Sequence, residues 1–147
     1  MLWLFGTAVV IVGALLAIQP LLNAKIALAA GHPIYGAMFS VLVSSLTMLL
    51  AALLLRLPLP DLRSIGGESP WTWTGGVIGA GVVLTALMAT PRLGAATTVM
   101  LFIGGQLAAS LLLDHHGWLG VPVHPIDWPR ILGVLCLIAG VVLIRWS

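Results

Sequence analysis

Between Arg92 and Asp114 the chain carries no charge at all. That interval matches the ~20 residues an α-helix needs to cross the hydrocarbon core of a bilayer. It therefore reads as a membrane span, and a span must satisfy its backbone groups internally because lipid offers them no partner. It is not a plain lipid-facing helix, for it contains Thr97, Thr98, Gly104, Gly105, Gln106 and Ser110. Small and hydrogen-bonding residues of this kind belong where helices approach closely or line a polar cavity.

The rest of the chain follows the same rule. Only 7% of the residues are charged, against the roughly 25% that coat a soluble domain, so the bilayer is the expected solvent and partner. Residues 2–30 form one span, kinked at Pro20, where a backbone donor is lost and the ring crowds the preceding turn. Its end, Ala27-Leu28-Ala29-Ala30, resembles a signal-peptide cleavage site. No Lys or Arg precedes the apolar run, however, and membrane-like sequence continues beyond it, so cleavage is not expected. Further spans are expected at 34–55, 71–90, 94–113 and 130–146, the last barely long enough. Arg56 to Pro70 collects prolines, glycines and charges and reads as an exposed loop; Asp114 to Pro129 is a second polar stretch. Pro91-Arg92-Leu93 leaves only a tight turn between the third and fourth spans. The expected architecture is an all-α integral membrane protein of five transmembrane helices, forming one transmembrane domain over residues 1–147.

An odd number of spans puts the termini on opposite sides. One face then receives Arg56, Arg63 and Arg130, the other Lys25, Arg92 and Arg145. This even split removes the Lys/Arg bias that normally fixes orientation. Two readings stand at this point. In one, the chain inserts both ways and opposite copies pair as an antiparallel homodimer, reproducing the inverted repeat of many secondary transporters. In the other, orientation is uniform and the chain meets a different partner or a parallel copy. Under either, Gly36, Ser40 and Ser44 on the second span are expected to pack against a neighbouring helix or a dimer partner, as are Gly75 and Gly79 on the third and Gly105 and Ala109 on the fourth.

The candidate substrate-binding residues are Gln19, Asn23, Lys25, Arg92, Thr98, Gln106 and Ser110. Gln19 and Asn23 lie one helical turn apart, so both can present amides to a solute or bond a neighbouring helix. Lys25 lines a path or snorkels to the interface. Gln106 must touch something polar, because an amide left unpaired in hydrocarbon is costly. Arg92 is a fixed positive charge at one mouth of the bundle, suited to an anionic group or to lipid phosphate. His115 and His116 are adjacent and point in different directions, and His124 lies beyond Pro122, so neither a metal site nor any other cofactor is expected. No nucleophile elbow or phosphate-binding loop is present, which argues against an enzyme. A net charge of +2 is too small for a nucleic-acid footprint. The single cysteine, Cys136, excludes an intrachain disulfide and sits in an apolar run.

Three motifs carry a family resemblance: Ile18-Gln19-Pro20-Leu21-Leu22-Asn23-Ala24-Lys25, Pro91-Arg92-Leu93-Gly94-Ala95-Ala96-Thr97-Thr98, and Gly105-Gln106-Leu107-Ala108-Ala109-Ser110 through His115. They resemble the single-repeat, five-span YdcZ-type family of the bacterial drug/metabolite transporter superfamily. The resemblance implies an inner-membrane protein with a transport role, equivalent to one half of the ten-span transporters of that superfamily. The small multidrug resistance relatives place a glutamate in the first helix, whereas this chain has Gln19 and Asn23 there. A neutral or anionic metabolite therefore suits it better than an organic cation. The expected function is a secondary transporter subunit that moves a small metabolite by alternating access as a homodimer. A proton-coupled organic-cation exporter and a non-transporting partner subunit are the alternatives.

Overall fold

A computed structural model describes residues 2–146, and among these it contains helices and turns but no strand. Helix α1, Leu2–Ala29, runs continuously through Pro20, although that residue offers no N–H to the Leu16 carbonyl. Helix α2, Pro33–Leu54, starts with two devices that suit a helix N-terminus. Pro33 brings a φ already set for the first turn. His32 caps it, its Nδ1 accepting the Ile34 N–H at 3.2 Å.

The α1–α2 seam is closed by a glycine. A Cβ on Gly36 would stand 2.7 Å from both the Ala27 Cβ and the Asn23 carbonyl oxygen, so only a bare α-carbon lets the backbones approach this closely. Asn23 lies on the same seam, 6% exposed, and its Nδ2 donates to the Ser40 Oγ at 2.9 Å.

The loop that follows α2 holds a short helix α3, Leu62–Gly66, capped by Asp61. A 3-10 turn, Pro70–Trp73, then leads into α4, Thr74–Leu93. The turn expected at Pro91-Arg92-Leu93 is instead the last turn of α4. A proline this near a helix end sacrifices only the Leu87 carbonyl's partner, and the Arg92 guanidinium folds back to donate to the Met88 carbonyl at 2.7 Å. The break falls on Gly94, whose φ of 85° is a conformation that a side chain resists. Helix α5, Ala95–His116, ends at Gly117 in the left-handed conformation, and α6 is Trp128–Trp146. Ser147 and the side chain of Arg145, which the sequence reading places at the end of the last span, lie outside the described residues.

The chain divides into two compact units, one ending at Arg92 and the other beginning at Leu93. In the first, α1 pairs with α2, and α4 adds Leu87, Val83 and Leu84 to a small core around Ala27 and Ala37. In the second, α5 pairs with α6. Their ends are tied where Arg130 Nη1 meets Asp114 Oδ2 at 3.3 Å and also donates to the His124 carbonyl at 3.2 Å.

The segments Trp3–Ala29, Pro33–Leu54, Pro70–Leu93 and Ala95–His116 are long and apolar enough to cross a membrane, and Trp128–Ile144 is a shorter apolar helix. Along them large apolar side chains such as Val10, Leu46, Val77 and Leu135 face outward. That arrangement is stable only where the surrounding solvent is itself apolar. The fold is that of an all-α integral membrane protein.

Candidate functional site

The ends of α1 and α4 and the start of α2 enclose an open cavity of about 350 Å³ in the first unit. Its walls are mainly apolar, from Ala24, Ala27 and Leu28 on α1 and Leu87 and Met88 on α4. Two polar side chains line it, His32 and Arg92. The Nδ1 of His32 is occupied as an acceptor by the Ile34 N–H, which puts the proton of the neutral ring on Nε2 and makes that atom a donor. Arg92 is steadied by its bond to the Met88 carbonyl and forms no ion pair among the described residues. None of the four acidic residues lines the cavity. Asp114 is paired with Arg130, Asp61 holds Ser64 and the Arg63 N–H, and Asp127 accepts from the Arg130 N–H.

The substrate-binding candidates are dispersed. Arg92 lines the cavity, while Asn23 is turned to Ser40 on the helix seam. Gln19 is half-buried and Lys25 exposed, and neither side chain has a hydrogen-bond partner among the described residues. In the second unit Thr98 is buried and donates to the Gly94 carbonyl at 2.9 Å, and Ser110 donates to the Gln106 carbonyl at 2.7 Å. The Gln106 carboxamide, midway along α5, is exposed and makes no hydrogen bond among the described residues.

The packing candidates also separate. Gly36 and Ser40 sit on the α1–α2 seam. Ser44 is exposed and its hydroxyl returns to the Ser40 carbonyl at 2.9 Å. A Cβ on Gly75, Gly79 or Gly105 would meet nothing within 4 Å, and Ala109 is exposed.

Two residues that sequence reasoning passed over matter here. His32 stands directly before a proline and an apolar run, the position of an N-cap, which was a usable signal. Thr90 is 3% exposed, and its hydroxyl has no hydrogen-bond partner among the described residues. The hydroxyls of Thr7, Thr47, Thr98, Ser44, Ser45 and Ser110 all bond the carbonyl four residues back, the usual refuge of a helical hydroxyl. Nothing in the sequence marks Thr90 as different.

Outside the first unit, the polar stretch after α5 is held by its own bonds. The His124 N–H donates to the Asp114 carbonyl at 2.8 Å and the Ile126 N–H to His115 Nδ1 at 3.2 Å. His116 lies between the rings of His115 and Trp118. Among the described residues no group of His, Cys, Asp or Glu has the arrangement of a metal site.

Comparison with known proteins places this arrangement in a family. A family model described as "Putative inner membrane exporter, YdcZ" matches residues 4–143. The chain is 33% identical over 70 residues to the inner membrane protein YdcZ of Escherichia coli (strain K12), an alignment that covers 48% of this chain and 46% of that protein. The chain thus spans about half the length of the curated relative it matches. No solved structure matches it. With a family match running over nearly all of its helices, the chain belongs to the YdcZ family of the drug/metabolite transporters and is a multi-pass protein of the inner membrane.

Proposed function

We propose that this chain is one subunit of a secondary transporter that exports a small metabolite by alternating access between two copies of itself, paired in opposite orientations. The family's description as an exporter supports transport over catalysis. The observation that carries the reading is the bare carboxamide of Gln106 in the middle of a membrane helix. An amide facing hydrocarbon without a partner costs several kcal/mol, so in the working protein it meets water, solute or another chain. A solute path between two copies supplies all three. The open faces at Gly75, Gly79 and Gly105 support the same reading, since glycine grooves are where membrane helices of separate chains come together. The even division of Lys and Arg between the two sides supports opposite orientations. Ser110, one helical turn beyond Gln106 and likewise exposed, borders the path with it.

The test has two parts on one expressed chain. C-terminal reporters, each active on only one side of the membrane, should both give signal; signal from one alone would sink the antiparallel pair. Proteoliposomes loaded with a panel of labelled cell metabolites should release at least one of them. The Gln106→Ala variant should abolish that efflux while the yield of cross-linked dimer is unchanged. Efflux by the variant at the parent rate would remove Gln106 from the path.

A further inference from the structure

We infer that the cavity formed by the ends of α1 and α4 and the start of α2 is an oxyanion site, holding a small molecule with one carboxylate or phosphate on an apolar body. His32 and Arg92 are its two donors. As a statement about the transported solute, this rests on the transport reading above.

The chemistry of the walls sets the class. An apolar cavity of about 350 Å³ is within the ~300–1,000 Å³ typical of small-molecule sites. Its side chains offer donors only. Arg92 has five N–H donors in a fixed fork, and the Met88 carbonyl engages one of its nitrogens, Nη1. The remaining edge of the guanidinium is free to take a planar two-oxygen group, the geometry that arginine matches best. His32 adds Nε2–H, because its Nδ1 is committed to the α2 cap. No acidic side chain competes for either donor.

Helix ends do not reverse this sign. The C-terminal ends of α1 and α4 and the N-terminal end of α2 border the cavity, each equivalent to roughly half a charge. Two negative ends and one positive end leave about half a negative charge in all, against the full positive charge of Arg92. One negative end, that of α4, is already met by the Arg92 guanidinium at Met88. The site stays positive with His32 neutral.

The same chemistry has two sources, a soluble organic anion and a lipid headgroup phosphate, because helix ends lie at the depth of the headgroups. Benzoate is a suitable probe, with benzamide and benzylamine as its neutral and cationic counterparts. Binding is measured by calorimetry on the full chain, first in dodecyl maltoside, which carries no phosphate, and then in phosphatidylcholine nanodiscs.

In maltoside, benzoate should bind at least tenfold more tightly than either counterpart. Arg92→Gln should weaken it at least tenfold. His32→Asn keeps an N-cap for α2 while removing the Nε2–H, and should weaken it several-fold with an unchanged melting temperature. Benzoate binding that persists in nanodiscs assigns the site to a soluble anion. Binding lost there, and only there, assigns it to lipid phosphate. Absence of benzoate binding in maltoside, equal binding of benzylamine, or full binding by a folded Arg92→Gln variant would each overturn the inference. If benzoate binds as expected but no metabolite leaves the proteoliposomes, the transport reading fails and the site stands. The converse result removes the site and leaves transport intact.

Discussion

The unpartnered hydroxyl of Thr90 allows an unusual prediction, a stabilising substitution inside a membrane protein. Thr90 is 3% exposed on α4, and its Oγ1 has no hydrogen-bond partner among the described residues. A buried donor left unsatisfied costs about 1–3 kcal/mol. Valine keeps the β-branched shape and the χ1 preference of threonine in a helix, so Thr90→Val removes the polar atom and little else. The variant should therefore be more stable than the parent by about 1–3 kcal/mol. Thr98→Val is the matched control. Its hydroxyl is bonded to the Gly94 carbonyl at 2.9 Å, but that carbonyl also accepts the Thr98 N–H at 3.1 Å and remains satisfied when the hydroxyl is gone. A side chain's hydrogen bond within a membrane protein contributes about 0.6 kcal/mol on average, so this control should lose less than about 1 kcal/mol. Reversible unfolding in mixed maltoside and dodecyl sulfate micelles measures both. A Thr90→Val variant destabilised by more than about 1 kcal/mol would mean that the hydroxyl does have a partner, and would refute the reasoning. A variant that gains stability and loses efflux would mark Thr90 as a polar group kept for transport.

Three further outcomes follow from the geometry. Gly36→Ala places a methyl 2.7 Å from Ala27 Cβ and from the Asn23 carbonyl oxygen, so the same unfolding assay should show a loss of about 1–3 kcal/mol; parent-like stability would contradict the close approach of α1 and α2. A double-mutant cycle on Asn23→Ala and Ser40→Ala should return a coupling near 0.6 kcal/mol from the 2.9 Å bond, and zero coupling would mean that Asn23 is not held there. Asp61, in the loop before α3, has its carboxyl held below the ordinary aspartate range, first by the Ser64 hydroxyl and then by the Arg63 N–H. Its cap is therefore fully formed above the ordinary value and is lost as pH falls through the lower, folded one. An NMR titration should show that low midpoint and its rise in Ser64→Ala, and an unchanged midpoint in that variant would reject the Ser64 bond as the cause.

Membrane helices are the part of this molecule that sequence displays best, because lipid imposes its demand residue by residue along the chain. The charge-free run after Arg92 becomes α5, and the runs before it become α1, α2 and α4 within a few residues. Errors fall where a local rule has a local exception. Pro91 reads as a breaker, yet a proline in a last turn gives up one bond and the helix continues to Leu93. The α1–α2 seam was also partly legible. Asn23 and Ala27 share one helix face, Gly36 and Ser40 another, and these two pairs are what meet. What spacing alone does not determine is the rotation of α2 about its axis, and that rotation decides whether Asn23 finds Ser40 or a solute. The cavity is less legible still, because His32 and Arg92 are distant in sequence and become neighbours of one space only when α4 packs on the α1–α2 pair.

Glycine makes the physical contrast between the finished and unfinished parts of this surface plain. At Gly36 the missing side chain is used within the chain, since the backbone and Cβ of α1 fill the space that a Cβ would take. At Gly75, Gly79 and Gly105 the same omission leaves open space. Each such glycine weakens its helix by roughly 0.8–1 kcal/mol relative to alanine, a cost that close packing offsets and a flexible lipid tail offsets poorly. A second helix laid into the α4 groove would recover there what α2 recovers against α1. The exposed Gln106 amide imposes a parallel demand on α5. An apolar partner face would fill the grooves but leave the amide unpaired, whereas a second copy of this chain brings both a small-residue face and polar side chains. This is why the proposed homodimer would answer the two unmet demands together, and why loss of cross-linked dimer on Gly79→Leu, with the monomer still folded, is the outcome expected of it.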